Sequence, residues 1–181
     1  MGLVLLVLLA FFPWMWFPDP VIAPQVTAAR IQRVRLGMTP AQVVAVLGRP
    51  LVMASYKGSN THRMTTCADF AATQVKADVT DTTDIAGFFR RVAADSAVHS
   101  CDLDDERKHD RRSTLTYTRH GGLFRTYPML WVHFDKRARV DEVYAKECAT
   151  DDRCIYALGA DPFSPNTIDT EALRRLFGAG S

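Results

Sequence analysis

The sequence predicts an α+β domain in which two N-terminal helices pack on a three-stranded antiparallel meander. Two capped helical segments lie between residues 27 and 50, and from residue 113 apolar and polar residues alternate as in strands. A partly helical insertion, a C-terminal helix and an N-terminal membrane-anchor helix complete the expected architecture. Of the 181 residues 48% are apolar and 23% are charged, a composition that indicates a globular chain and argues against a disordered one.

The two helices at the start are defined by their capping residues. Thr27 can cap a first helix from Ala28 to Leu36, and Gly37 would end it. The second helix shows a capping box at its start and helix-stopping residues at its end, namely Thr39, Pro40 and Gln42 followed by Gly48 and Pro50. Its apolar residues recur on one face: Val43, Val44 and Leu47.

Residues 51–113 are interpreted as an insertion between the second helix and the first strand. Its one clear element is a helix that Thr83 or Asp84 can cap and that runs to about Ala97. Four apolar residues recur there at helical spacing and are expected to face the core: Ile85, Phe88, Phe89 and Val92.

Three alternating segments predict the meander: Thr114–Thr118, Met129–Phe134 and Arg139–Ala145. In the second segment, Leu130, Val132 and Phe134 share one face, which would leave His133 exposed on the other. A last helix, Glu171–Phe177, is expected after a cap at Asp169 or Thr170.

The run Met1–Pro18 contains no charged side chain. Because a membrane-spanning helix needs roughly 17 to 25 apolar residues, we interpret this run as an N-terminal membrane anchor. The lipid contacts are assigned to Leu5, Leu8, Phe12, Trp14 and Trp16. A cleaved secretory signal with Leu3–Phe12 as its apolar part, and a buried helix of a soluble fold, stay open as alternatives.

The predicted domain organisation follows from these elements. An anchor or signal segment, residues 1–18, precedes a proline-containing linker, residues 19–26. The domain proper spans residues 27–160 with its insertion at 51–113, and a tail with a short helix spans residues 161–181.

The four cysteines predict disulfide bonds in an exported chain. They are Cys67, Cys101, Cys148 and Cys154, and chain order favours the pairs Cys67–Cys101 and Cys148–Cys154. A zinc site that uses His62 and His99 beside the first two cysteines, or free buried thiols, are the alternatives.

Two parts of the sequence resemble the SmpA/OmlA (BamE-like) domain family. The first is Leu36-Gly37-Met38-Thr39-Pro40-Ala41-Gln42-Val43 followed by Leu47-Gly48-Arg49-Pro50, and the second is Leu115-x-Tyr117 with Val132-His133-Phe134-Asp135, Val140 and Val143. The resemblance implies two helices on a three-stranded antiparallel sheet. It also implies a non-catalytic scaffold, because the best-known members are lipoproteins of the bacterial outer-membrane assembly machinery. This chain is a divergent case, since it has no lipid-attachment cysteine.

The sequence contains no recognisable catalytic set. Gly-x-Ser-x-Gly and phosphate-binding glycine-rich loops are absent, and the five histidines are scattered. A formal net charge of +2 argues against a dedicated nucleic-acid binder. We therefore expect no enzyme activity, no cofactor, no metal and no small-molecule substrate.

The loop before the second predicted strand is the best candidate for protein contact. It combines arginine with aromatic residues, a mixture enriched at interfaces, and Trp131 would extend it if exposed. The predicted partner-binding residues are Arg119, Phe124, Arg125, Tyr127 and Trp131. In the alternative, Phe124 and Trp131 pack under the insertion.

The functional prediction is a membrane-anchored scaffold or assembly factor that binds other envelope proteins. It would sit in the inner membrane with its domain in the periplasm, or be secreted to the periplasm after signal cleavage. An accessory subunit of an inner-membrane complex and an inhibitor-type protein-binding module are the alternatives.

Overall fold

A computed structural model describes residues 21–55, 75–94, 111–119, 126–135, 137–148, 153–159 and 167–179. The strands in these ranges are β1 (Val21–Ile22), β2 (Val52–Ser55), β3 (Val75–Asp78), β4 (Arg111–Thr116), β5 (Thr118–Arg119), β6 (Tyr127–Asp135), β7 (Val140–Cys148) and β8 (Arg153–Leu158). The helices are α1 (Ala28–Ile31), α2 (Pro40–Leu47), α3 (Ile85–Ala94) and α4 (Thr170–Phe177). Six strands form one antiparallel sheet in the order β3-β2-β4-β6-β7-β8, and β1 pairs with β5 in a second, two-stranded sheet.

The predicted fold class is wrong, because the sheet is twice as wide as a three-stranded meander. The three predicted strands are present as β4, β6 and β7 and pair in that order. However, β2 and β3 extend one edge, and β8 extends the other. All four residues of β2 are buried, so apolar and polar residues do not alternate along this strand. In β8 the alternation is interrupted by a register shift in its pairing with Ala145 and Lys146 of β7.

The helices that the structure describes all pack on one face of the large sheet, which we call the helical face. Its strand residues include Leu115, Leu130, Val132, Phe134 and Val143, all fully buried. The helices contribute one or two large apolar side chains each, namely Ile31 from α1, Leu47 from α2, Phe88 and Phe89 from α3, and Leu173 and Phe177 from α4. Burial of these side chains forms the main core.

The segment predicted to be a linker belongs to the fold from Val21 onward. β1 pairs Val21 with Arg119 and Ile22 with Thr118, and Ala23 and Val26 are buried in the main core. The sequence suggested a linker because of its two prolines, but extended backbone also suits a strand and its approach to a core. Residues 19–20, like the whole predicted anchor with Leu5, Leu8, Phe12, Trp14 and Trp16, lie outside the described residues.

The predicted insertion and tail are likewise parts of the same domain. Region 51–113 supplies β2 and β3 to the sheet and α3 to the helical face. The C-terminal helix is confirmed, because α4 begins after the Asp169 cap, whose Oδ1 accepts from the Ala172 N–H at 2.9 Å. In the part of the chain that the structure covers, no helix has the length and apolar character needed to cross a membrane.

The two N-terminal helices differ in how well their ends were predicted. The α1 cap at Thr27 is confirmed, but α1 stops at Ile31 instead of Leu36. Beyond Ile31 the chain continues in tighter turns, in which the Arg33 and Val34 N–H groups donate to carbonyls three residues earlier. It then reaches the start of β7, where the Gly37 N–H donates to the Val140 carbonyl at 2.7 Å. The Val140 N–H in turn donates to the Met38 carbonyl at 2.9 Å. For α2, the capping box, the proline at the first turn and the end at Gly48 are all confirmed.

Candidate functional site

An apolar groove of about 480 Å³ lies between α2, α3 and the turn that joins β6 to β7. The α2 wall consists of Pro40, Ala41 and Val44, and Ala138 closes the end at the turn. Residues Leu47 and Val43 of the same helix point into the main core, so one side of α2 is buried while the neighbouring side borders the groove. The capping box fixes where α2 begins and therefore where this wall starts.

The α3 wall of the groove is made of Ile85, Ala86, Phe89 and Ala93. Phe89 is the best anchored of these residues, because its ring packs edge-on against two other rings. The distance between ring centroids is 4.8 Å to Phe134 and 5.5 Å to Phe88. Ala86 and Ala93 are exposed, and they are seven residues apart, so they lie on the same side of the helix. These small side chains leave open the space that longer ones would fill.

The polar rim of the groove is formed by Thr39, Arg49 and Arg90. The Arg49 Nη2 group donates to the Thr80 and Thr83 carbonyls at 2.6 and 2.8 Å, which holds the chain before α3 against the end of α2. Arg90 forms an exposed ion pair with Asp84 at 3.3 Å. Of the lining residues that the structure describes, the two arginines are the only charged ones.

The surface patch predicted from the sequence is not assembled as expected. Trp131 is fully buried on the sheet face opposite the helices, so the prediction of an exposed Trp131 is wrong. Arg119 is exposed, and its Nη2 group forms an ion pair with the Asp78 Oδ1 at 2.6 Å. Tyr127 is half-buried and packs against a second hydrophobic cluster, which consists of Met129, Trp131 and Cys148. Phe124 and Arg125 lie outside the described residues. Alternation correctly placed Trp131 opposite the core face, but it cannot tell whether that face is covered.

The predicted cysteine pairing is wrong for the C-terminal pair. Cys148 is disulfide-bonded, whereas Cys154 is a half-buried free thiol. In the pairing of β7 with β8, the backbone of Cys154 lies opposite Lys146 and not opposite Cys148. Closeness in the sequence therefore suggested the wrong disulfide partner. Cys67 and Cys101 lie outside the described residues.

A row of polar side chains crosses the sheet face that carries Trp131. Thr114, His133 and Glu142 are direct neighbours on β4, β6 and β7, and each is at most 2% exposed. The Thr114 Oγ1 and the His133 Nδ1 are 2.8 Å apart, and the His133 Nε2 is 3.9 Å from the Glu142 Oε2. The prediction that His133 is exposed is therefore wrong. A hydroxyl, an imidazole and a carboxylate in this order resemble a catalytic set, but a reacting group must reach the hydroxyl, and Thr114 is completely buried.

The tyrosines with a perturbed acidity do not lie in the groove. Burial raises the pKa of Tyr117, which is in the main core. Burial also raises the pKa of Tyr156, and the positive charge of Arg35 opposes this effect. Both phenols are therefore neutral at physiological pH. Among the ranges described above, no group of three or more possible metal ligands comes together.

The resemblance to the SmpA/OmlA family depends on residues whose roles are now visible. In the first block, Thr39, Pro40 and Gln42 start α2, and Gly48 has the positive φ of 81° that a helix-ending glycine adopts. These are turn and capping positions, so the resemblance bears on the fold. Thr39 and Pro40 also border the groove, because they stand at the end of α2 where its wall begins. No family model, no curated protein and no solved structure matches this chain.

Proposed function

We propose that this chain is a non-catalytic protein-binding module of the cell envelope, a scaffold or assembly factor whose groove receives a segment of another envelope protein. The observation that carries the proposal is the open apolar groove between α2 and α3. Grooves between helices commonly receive an apolar face of a partner, because binding removes that face from water. The buried Thr114–His133–Glu142 row supports a structural and not a catalytic role for the second sheet face.

The disulfide at Cys148 supports a location in an oxidising compartment. We propose that the domain lies in the periplasm and that the segment 1–18 anchors it in the inner membrane. Secretion to the periplasm after cleavage of that segment is the alternative. The resemblance of residues 36–50 to a family of envelope assembly factors favours the same compartment.

Two other non-catalytic roles compete with an assembly factor. An accessory subunit of one inner-membrane complex would use the same groove on a single permanent partner, while an inhibitor-type module would bind and block a soluble one. Recovery of one stoichiometric complex in mild detergent favours the subunit.

A charge placed in the groove is expected to release the partner. Ala41 lines the groove and Ala45 is an exposed residue of the same helix that does not line it, so Ala41→Glu and Ala45→Glu are a matched pair. A desolvated, unpaired carboxylate at an interface costs about 2 kcal/mol, or a factor of about 30 in affinity. We therefore expect Ala41→Glu, but not Ala45→Glu, to lose the protein that co-purifies with the tagged full-length chain from native membranes.

Circular dichroism and thermal unfolding of both variants provide the control for folding. Equal recovery of the partner with both variants would contradict the proposal, as would the absence of any partner from the wild-type preparation.

A further inference from the structure

We infer that the groove between α2 and α3 selects an acidic amphipathic helix, an inference that rests on the proposed role of this groove in protein binding. The partner segment would present apolar side chains to the groove floor, which is formed by Val44 and Phe89. Its Asp or Glu side chains would face the rim. Three observations lead to this partner: the dimensions of the two walls, the charge of the rim and the position of the helix N-termini.

The walls of the groove match the contact length of a short helix. α2 has eight residues and α3 has ten, which corresponds to lengths of about 12 and about 15 Å. A third helix lying between them would keep about two to three turns in contact, enough for anchors at positions i, i+3 or i+4, and i+7. The exposed Ala41, Ala86 and Ala93 allow close approach, while Val44 and Phe89 offer the apolar floor.

The charges around the groove favour a negative partner. Arg49 and Arg90 line it, and in the β6–β7 turn Arg137 and Arg139 are exposed on either side of the lining residue Ala138. Two nearby carboxylates, Asp84 and Asp135, offset only part of the charge of these four arginines. Asp84 pairs with Arg90, while the Asp135 Oδ1 accepts the backbone N–H groups of residues 137 and 139, both at 2.8 Å. An acidic rim on the partner would therefore meet a positive one.

The helix ends add to this preference. Pro40 and Ile85 are the first residues of α2 and α3, and both line the groove. The N-terminal end of a helix carries a partial positive charge that favours nearby anions within the first turn. A negative side chain on the partner would thus be favoured beside the first turn of α2. At the start of α3 the Asp84 carboxylate already fills this role, since its Oδ1 accepts the Gly87 N–H at 2.7 Å.

The probes for this inference are two synthetic peptides of about 15 residues with identical leucines at i, i+3, i+4 and i+7. Their remaining positions carry Glu in one peptide and Lys in the other. The full chain is held in nanodiscs of phosphatidylcholine, and binding is measured by fluorescence anisotropy after subtraction of empty nanodiscs. Several rim charges, each worth a fraction of a kcal/mol, predict about tenfold tighter binding of the Glu peptide at low salt. This advantage is expected to shrink at about 0.5 M salt.

Two sets of variants locate the binding. Arg90→Gln with Arg137→Gln is expected to weaken the Glu peptide several-fold, whereas Arg174→Gln on the exposed side of α4 is the control and is expected to leave binding unchanged. Ala93→Glu in the groove is expected to abolish binding, and Ala94→Glu beside it is not.

Each other outcome overturns the inference in a recognisable way. Equal binding of the two peptides, or tighter binding of the Lys peptide, would contradict acidic selection while leaving protein binding intact. If neither peptide binds but Ala41→Glu still loses the co-purified protein, the partner is not such a helix and the proposed function stands. Occupation of the groove by an acyl chain or by the apolar segment 1–18 would exclude both peptides alike and would also refute the inference.

Discussion

Replacing Trp131 with alanine is expected to lower the free energy of unfolding by about 3–5 kcal/mol, because it removes a fully buried aromatic ring and leaves a cavity. The indole is stacked on Tyr144 with the ring centroids 6.1 Å apart and an angle of 24° between the rings. It also packs with Met129 and Cys148 in the second hydrophobic cluster. Urea denaturation of the full-length chain followed by intrinsic fluorescence or circular dichroism measures the change.

Arg119→Ala is the informative comparison, since the sequence grouped Arg119 with Trp131 in one contact patch. Arg119 is exposed and its ion pair with Asp78 is a surface pair, so its loss is expected to cost at most about 1 kcal/mol. A Trp131→Ala variant as stable as the wild type but unable to bind the partner would show that Trp131 is an exposed interface residue, contrary to the structure.

Leu173→Ala is expected to destabilise the domain by about 2–5 kcal/mol, the usual cost of deleting a fully buried leucine side chain. Leu173 lies on α4 and reaches the main core, where α1, β6 and β8 are neighbours of α4. The effect would demonstrate that the C-terminal region completes the core and is not an appended tail. Equilibrium unfolding in urea is again the measurement.

Leu176→Ala is the matched control for this experiment, because it changes the same residue type on the same helix at a half-buried position. A loss well below that of Leu173→Ala is expected, since less apolar area leaves the core. Equally small effects from both substitutions would indicate that α4 is dispensable for folding and would contradict the single-domain arrangement.

Local signals in the sequence were sufficient wherever structure depends on neighbouring residues. The capping box at Thr39 and Gln42, the cap at Asp169 and the apolar spacing of Phe88, Phe89 and Val92 each specify an element without help from distant parts of the chain. The three central strands were predicted for the same reason, because apolar and polar residues alternate along each of them.

Long-range pairing explains what could not be predicted. β2 joins the sheet between β3 and β4, and its continuous burial gives no period-two pattern. His133 and Trp131 lie on the expected side of β6, but whether that side faces water depends on what covers the sheet. The Cys148 disulfide is another long-range feature, since the nearby Cys154 is not its partner.

The groove also depends on long-range packing, because its walls come from residues 40–47 and 85–94. The sequence assigned Ile85 and Phe89 to the core, and Phe89 is indeed buried there, but it also forms part of the groove floor. A local signal is the pair of alanines at positions 86 and 93, which lie on the same helix side as Phe89. Alanine is common in helices, so this signal by itself does not identify a binding site.

Site-specific photo-crosslinking tests the binding role of the groove most directly. A photoreactive amino acid replaces Ala93, which lines the groove, or Ala94, which is exposed on the same helix but does not line it. After irradiation of native membranes, the groove hypothesis predicts a discrete protein adduct from position 93 that is absent or much weaker from position 94. The same adduct from both positions, or an adduct from position 94 alone, would contradict the assignment of this groove as the partner-binding site.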